Sequence, residues 1–223
     1  MIQAVLFDWD GTLIDSKKVI LASYRDATEK VLGRAFPDSP EEIALILPMR
    51  AQESFPMLAE GKADPAVLTQ AYHEAYLVNS ARWGGAFAET RSTLDALKAQ
   101  GLTLGLVTSK SRDRVDSDMD RFDMHGLFSV IVSGDTSAER KPHPGPVLDA
   151  ICALELDPAA VVMVGDGPQD VKAGRGAGAV TVACTYGFHG REECEEENPD
   201  FTIDAIEELL PVIATLMAGR SGA

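Results

Sequence analysis

Short apolar runs, partly β-branched, recur at Ala4–Phe7, Leu102–Val107, Val130–Val132, Val161–Val164 and Val180–Ala183. They are nearly continuous rather than alternating, which predicts strands covered on both faces, as in a parallel sheet. Between the later runs the apolar positions follow a helical period. Thr90–Gln100 turns Leu94 and Leu97 to one side and meets a stop at Gly101. Arg112–Met124 and Pro146–Leu156 fill the next two gaps, and Gln169–Ala177 follows the fourth run and closes at Gly178. Ile203–Met217 reads as a terminal amphipathic helix and Gly219–Ala223 as a frayed tail. The βαβαβ rhythm predicts an α/β fold, a doubly wound parallel sheet with right-handed crossovers.

The first run breaks that rhythm, because the next strand-like run does not begin until Leu102. The interval from Asp15 to Gly85 is rich in helix formers and holds no good strand. Tyr24, Ala27 and Val31 recur at helical spacing, as do Leu68, Tyr72 and Leu77 approximately. A helical insertion over 15–85 is expected, with Leu13–Ser16 as the exit and Gly84-Gly85 as the return hinge. The remaining 1–14 and 86–223 then form one core.

The chain has 223 residues, enough for a core plus a smaller inserted domain. Hydrophobic residues make up 45%, which rules out wholesale disorder. Lys and Arg number 20 against 35 Asp and Glu, a net charge of −15. Such a chain repels nucleic-acid backbones and anionic membranes. A site that handles phosphate must therefore supply its own positive charge. Cys152, Cys184 and Cys194 form no C-x-x-C pair, and their odd number favours reduced thiols and a cytoplasmic setting. The first strand starts so near Met1 that a signal peptide is not expected. No apolar run approaches the roughly 20 residues of a membrane helix. Monomer and dimer are equally compatible with these patterns.

In open α/β sheets ligands bind beyond the carboxyl ends of the strands. The polar residues at those ends are Asp8 and Asp10, Thr108 and Ser109, Lys141 shortly after the third run, and Asp166 with Asp170. Singly, each has a plain structural use: Asp starts turns, Thr and Ser cap helices, Asp170 complements a helix N-terminus, and Lys141 decorates a surface. Agreement among four separate strand ends is harder to explain that way. The residue types also complete a reaction centre. A carboxylate nucleophile, Asp8, accepts a phosphoryl group and divides hydrolysis into two easier steps. A second acid, Asp10, lies on the same side of an extended segment, protonates the leaving oxygen and then deprotonates water. Mg²⁺ suits Asp8, the Asp10 backbone carbonyl and Asp166, because it prefers oxygen ligands. Lys141 and the Thr108 hydroxyl serve the non-bridging oxygens, and Asp170 steers Lys141 or holds a metal-bound water. Three prolines stiffen the Lys141–Pro146 loop. His143 within it ranks well below Asp10 as a base and reads as a loop-packing residue.

Phe7-Asp8-Trp9-Asp10-Gly11-Thr12-Leu13-Ile14-Asp15-Ser16, Leu106-Val107-Thr108-Ser109-Lys110, Lys141-Pro142 and Val164-Gly165-Asp166-Gly167-Pro168-Gln169-Asp170 resemble, in order and spacing, the four motifs of the haloacid dehalogenase-like hydrolases. The resemblance implies a Rossmann-like core with a helical cap inserted after the first motif. Ser109 stands where close relatives frequently carry asparagine, a mild change if the contact is through backbone N–H. Gly167 stands where serine or threonine is frequent, which could loosen a bond around the metal. The second aspartate, Asp10, is typically lacking in family members that cleave carbon–halogen bonds or phosphonates. The subgroup most similar in pattern contains phosphoglycolate phosphatases, small pyrophosphatases and β-phosphoglucomutases.

The implied activity is therefore a Mg²⁺-dependent phosphatase acting on a small phosphorylated metabolite, phosphoglycolate-like. A phosphomutase or small pyrophosphatase is the alternative. A phosphate-binding receiver domain fits less well, because receivers lack a large insertion after the first strand. Leu47-Pro48-Met49-Arg50 and Glu53-Ser54-Phe55 resemble a cap segment that faces the active site in relatives. Arg50 there either pairs with an anionic substrate group or is a solvated helix arginine. Trp9, bulky beside the nucleophile, is a candidate for packing against the cap.

Overall fold

The computed structural model describes residues 1–47, 49 and 51–218, with the side chains of Ala51 and Gln52 left aside. The described chain falls into two compact units, Met1–Ile14 with Ala86–Ala223, and Asp15–Gly85. The predicted tail, 219–223, lies outside the described residues.

The first unit begins with β1 (Ala4–Phe7), every residue of which is buried. The short strands β2 (Ile14–Asp15) and β3 (Gly85–Ala86) pair with each other where the chain leaves and re-enters this unit. The helical unit between them holds α1 (Lys17–Leu32), α2 (Pro40–Ile46), α3 (Ala51–Ala59) and α4 (Pro65–Trp83). The chain continues through α5 (Thr90–Ala99), β4 (Thr103–Val107), α6 (Arg112–Phe122), β5 (Val130–Val132) and α7 (Gly145–Ala153). It ends with β6 (Val161–Gly165), α8 (Pro168–Ala177), β7 (Val180–Cys184), α9 (Arg191–Glu195), β8 (Phe201–Ile203) and α10 (Leu209–Ala218).

Six strands form one parallel sheet in the order β5-β4-β1-β6-β7-β8. β1 is central: Phe7 lies beside Leu106 on one side and Val164 on the other. From β1 the chain builds outward through β4 and β5, then returns to build the other way through β6. The reversal leaves a crevice at the carboxyl end of β1. Although the strands are apolar throughout, their period of two sorts side chains between the faces. Val5 and Phe7 join Leu94, Leu97, Val115 and Ile213 in one core layer. Ala4 and Leu6 join Val147, Ala150, Ala173 and Ala177 in the other. Each large side chain buried this way contributes about 1.5–3 kcal/mol.

The end of the chain differs from expectation. Phe201–Ile203 is an edge strand paired with β7, a 3₁₀ turn follows at Ile206–Glu208, and the helix starts only at Leu209. A three-residue run has too few positions to show a period, and the aromatic and β-branched residues here favour a strand once β7 offers its edge.

In the helical unit Tyr24, Phe55 and Tyr72 pack ring against ring, with centroids 4.8 to 5.6 Å apart. The Asn79 amide donates to Asp26 and Ser23, tying α4 to α1. Leu68 and Tyr72 are buried as expected, but the stripe continues through Tyr76, and Leu77 is 63% exposed. Nine residues of helix place Leu77 about 180° from Leu68. No helix among the described residues is long and apolar enough to cross a membrane.

Candidate active site

Asp8 is the first residue beyond β1, and its N–H still donates to Val164 O at 2.9 Å. The ladder thus runs one residue past the strand and fixes Asp8 in the crevice between β1 and β6. The chain then turns tightly, with the Leu13 and Ile14 N–H groups both 3.0 Å from Trp9 O. Gly11 carries the turn at φ +85°, a conformation that favours glycine.

Three carboxylates converge here. Asp8, Asp166 and Asp170 are buried, and one oxygen of each lies within 4.8 Å of the others. Asp166 follows β6; its Oδ1 accepts from the Thr12 hydroxyl at 3.3 Å and its Oδ2 from the Phe188 N–H at 2.7 Å. Two glycines let backbone close on this carboxylate, since a Cβ on Gly11 or Gly187 would fall 2.3 or 2.4 Å from Asp166 Oδ2. Asp170, in the first turn of α8, accepts from the Gly167 N–H at 3.0 Å. Gly167 therefore contributes a backbone donor, whatever its missing side chain withholds.

Lys141 supplies the positive charge. Its ammonium donates to Asp170 Oδ1 at 2.6 Å and to Val107 O at 2.9 Å, and lies 3.0 Å from Asp8 Oδ1. The directed hydrogen bonds go to Asp170 and Val107, so the Asp8 oxygen has an ion-pair neighbour but no directed hydrogen bond. Burial pushes the Asp8 carboxyl up to about 6, with Lys141 pulling the other way. Burial, then the charges of Asp170 and Asp8, hold Asp166 well above the usual carboxylate range. Burial draws the Lys141 ammonium down, but Asp170 and Asp8 outweigh it and hold it above the ordinary lysine value. Three carboxylates facing one ammonium leave an excess of two negative charges when all are ionised. An all-oxygen donor set with that deficit fits a hard divalent cation such as Mg²⁺.

Thr108, just past β4, is buried, and its oxygen accepts from the Lys110 N–H at 3.2 Å. Ser109 beside it is exposed. The Asp10 carboxylate stands apart from the cluster of three and pairs with Lys110, Nζ to Oδ1 3.0 Å. His143 is exposed, and its Nδ1 accepts from the Gly145 N–H at 3.0 Å, a loop contact. Trp9 is wholly buried in the sheet core and edge-on to Phe128, so its bulk is used inside the first unit. Arg50 and Pro48 lie outside the described residues.

Sequence reasoning passed over Lys110, Asp118, Thr12 and Gly187. Asp118 carried a signal: it shares the stripe of Val115 and Met119 on α6, where an apolar residue belongs. Gly187 carried none, because its approach to Asp166 is purely tertiary.

A family model described as haloacid dehalogenase-like hydrolase matches residues 5–184. The pyrophosphatase PpaX of Bacillus cereus (strain Q1) is 29% identical, over 96% of this chain and 98% of its own. A PpaX homologue from Clostridium perfringens is 32% identical, over 97% and 99%. Among solved structures, a predicted phosphoglycolate phosphatase from Haemophilus somnus superposes with a TM-score of 0.81 at 24% identity, over 95% of this chain and 98% of its own. CbbY from Rhodobacter sphaeroides, in complex with phosphate, gives 0.82 at 24% identity, over 94% and 96%. At that identity the structures speak for the fold, and the family model and the Clostridium relative speak for descent: the chain belongs to the haloacid dehalogenase-like hydrolases.

Proposed function

We propose that this phosphatase cleaves the phosphate of a small metabolite through an aspartyl-phosphate at Asp8, with Asp10 moving the proton. The observation that carries the reading is Asp8 itself: a buried carboxylate at the end of the central strand, beside Lys141, with an oxygen that has no directed hydrogen bond. An Asp8 oxygen attacks phosphorus, the bond to the leaving oxygen breaks, and that oxygen takes a proton from Asp10. Water then attacks phosphorus and gives a proton to Asp10, the bond to Asp8 breaks, and inorganic phosphate leaves. Lys141 and the Thr108 hydroxyl neutralise and orient the non-bridging oxygens, with the Ser109 backbone beside them. Asp170 holds Lys141 in place.

Asp8, Asp166 and the Asp10 backbone carbonyl would hold Mg²⁺, with Asp170 close by. When bound, the cation supplies positive charge against the carboxylates and the phosphate. The helical unit is read as a cap that selects the leaving group. The reduced thiols of Cys152, Cys184 and Cys194 suit a cytoplasmic setting.

A phosphoglycolate-like monoester is the leading substrate class. Inorganic pyrophosphate is the second reading, favoured by the name of the PpaX relatives, which match along nearly their whole length. Phosphate release from phosphoglycolate, pyrophosphate, hexose 1-phosphates and nucleotides, compared by kcat/KM, separates the classes. Isomerised sugar phosphate without phosphate release would identify a mutase. Asp8→Asn is expected to lower turnover by roughly 10³-fold or more, and EDTA to abolish it reversibly. Substantial turnover in the Asn variant would overturn the nucleophile assignment.

A further inference from the structure

A buried charge network stands behind Asp10. The Lys110 side chain is 3% exposed, and its ammonium lies 3.0 Å from Asp10 Oδ1 and 2.6 Å from Asp118 Oδ2. The Asp118 side chain is 6% exposed, and the same oxygen accepts from the Trp9 indole N–H at 3.0 Å. Trp9 is itself pinned, fully buried with its ring edge-on to Phe128. Lysine and aspartate are almost never buried this deeply unless paired, and apolar residues of the same volume are often as stable. Stability alone therefore gives little reason for this pair.

We propose that Lys110 is a positioning residue for proton transfer by Asp10, anchored by Asp118 and Trp9; this rests on Asp10 being the acid–base group. An ammonium has donors and no acceptor. Lys110 engages Asp10 Oδ1 as a donor, so proton transfer falls to the other oxygen, Oδ2. Lys110 selects the working oxygen and holds the carboxyl plane. As the bond from Asp8 to phosphorus forms and the bond to the leaving oxygen breaks, the Oδ2 proton passes to that leaving oxygen. As water later displaces Asp8, Oδ2 receives a proton back. Lys110 neither gains nor loses one.

The test is dependence on the leaving group. An alkoxide leaving from glycerol phosphate needs a delivered proton; p-nitrophenolate hardly does. Lys110→Met keeps the length and removes the donors. With Mg²⁺ saturating, it is expected to lower kcat/KM, which reports the step that expels the leaving group, on glycerol phosphate by about 10²-fold, with a loss at least ~10-fold smaller on p-nitrophenyl phosphate. Lys110→Arg should recover part of kcat/KM on glycerol phosphate. Because Lys110→Met leaves the buried Asp118 carboxylate without a counter-ion, the double variant Lys110→Met/Asp118→Asn, checked by thermal melting, is expected to fold and to show the same substrate ratio. Asp10→Asn sets the scale. If it shows leaving-group dependence and the Lys110 variants lose equally on both substrates or not at all, the positioning role is overturned while Asp10 keeps its own. If Asp10→Asn shows none, both assignments fall.

Discussion

Asp8 combines a nucleophile's position with an environment that resists its charge. Burial lifts its pKa from 3.8 to about 6, and Lys141 offsets only part of that. The folded value lies above the unfolded one, so between these values the folded chain holds a proton that the unfolded chain has lost. This contribution to stability is complete below about pH 3.8 and is lost as pH rises through about 6. A gap of about two units corresponds to about 3 kcal/mol at most. In EDTA, urea unfolding should show Asp8→Asn gaining on the parent by about 1–3 kcal/mol between pH 4 and pH 7 and then levelling. A difference that does not vary with pH would refute burial of a raised carboxyl as the cause. Saturating Mg²⁺ should remove the gain, because a ligand of the folded state alone stabilises it. Attack requires the carboxylate, so kcat/KM should fall on the acid side as Asp8 takes up its proton. At the residue scale the sequence named the acids and Lys141, since each follows one of the strands of the sheet. It left Lys110 without a role, although the residue stands inside the second motif, because its partner Asp10 lies 100 residues earlier in the chain.

The elements were legible wherever their pattern was long. The four interior strands and the edge strand β5 stand out because each is an apolar run, and α5 because Leu94 and Leu97 share a face above a glycine stop. β8 was hidden, because three residues make a strand only when an edge is waiting. The helical unit depends on one aromatic knot. Phe55 on α3 is fully buried, 5.1 Å from the Tyr24 ring and 5.6 Å from the Tyr72 ring. Phe55→Ala should destabilise that unit by about 3–5 kcal/mol. Calorimetry or hydrogen exchange should place the loss in α1, α3 and α4 while β1, β4 and β6 keep their protection. Uniform loss of protection across the sheet would count against two separately packed cores.

For the molecule as a whole, charge opposes the proposed task. A chain of net charge −15 repels an anionic substrate at long range, and among the described residues Lys141 supplies positive charge directly beside Asp8. With Mg²⁺ saturating, kcat/KM for a phosphate ester should rise as ionic strength increases from about 0.01 to 0.15 M, where screening shortens from about 30 to 8 Å. A fall over that range would indicate steering by a local positive field instead. The sequence by itself determined the parallel α/β core, the helical segment within it and the candidate acids, because period, run length and strand-end position are properties of neighbouring residues. Only the tertiary structure decided which carboxylates crowd together, that Lys141 spends its directed hydrogen bonds on Asp170 and Val107, and that Asp10 answers to Lys110 rather than to Asp8. Those choices depend on which strands become neighbours and how closely Gly11 and Gly187 let backbone approach Asp166, and residues far apart in the chain meet only when the sheet closes.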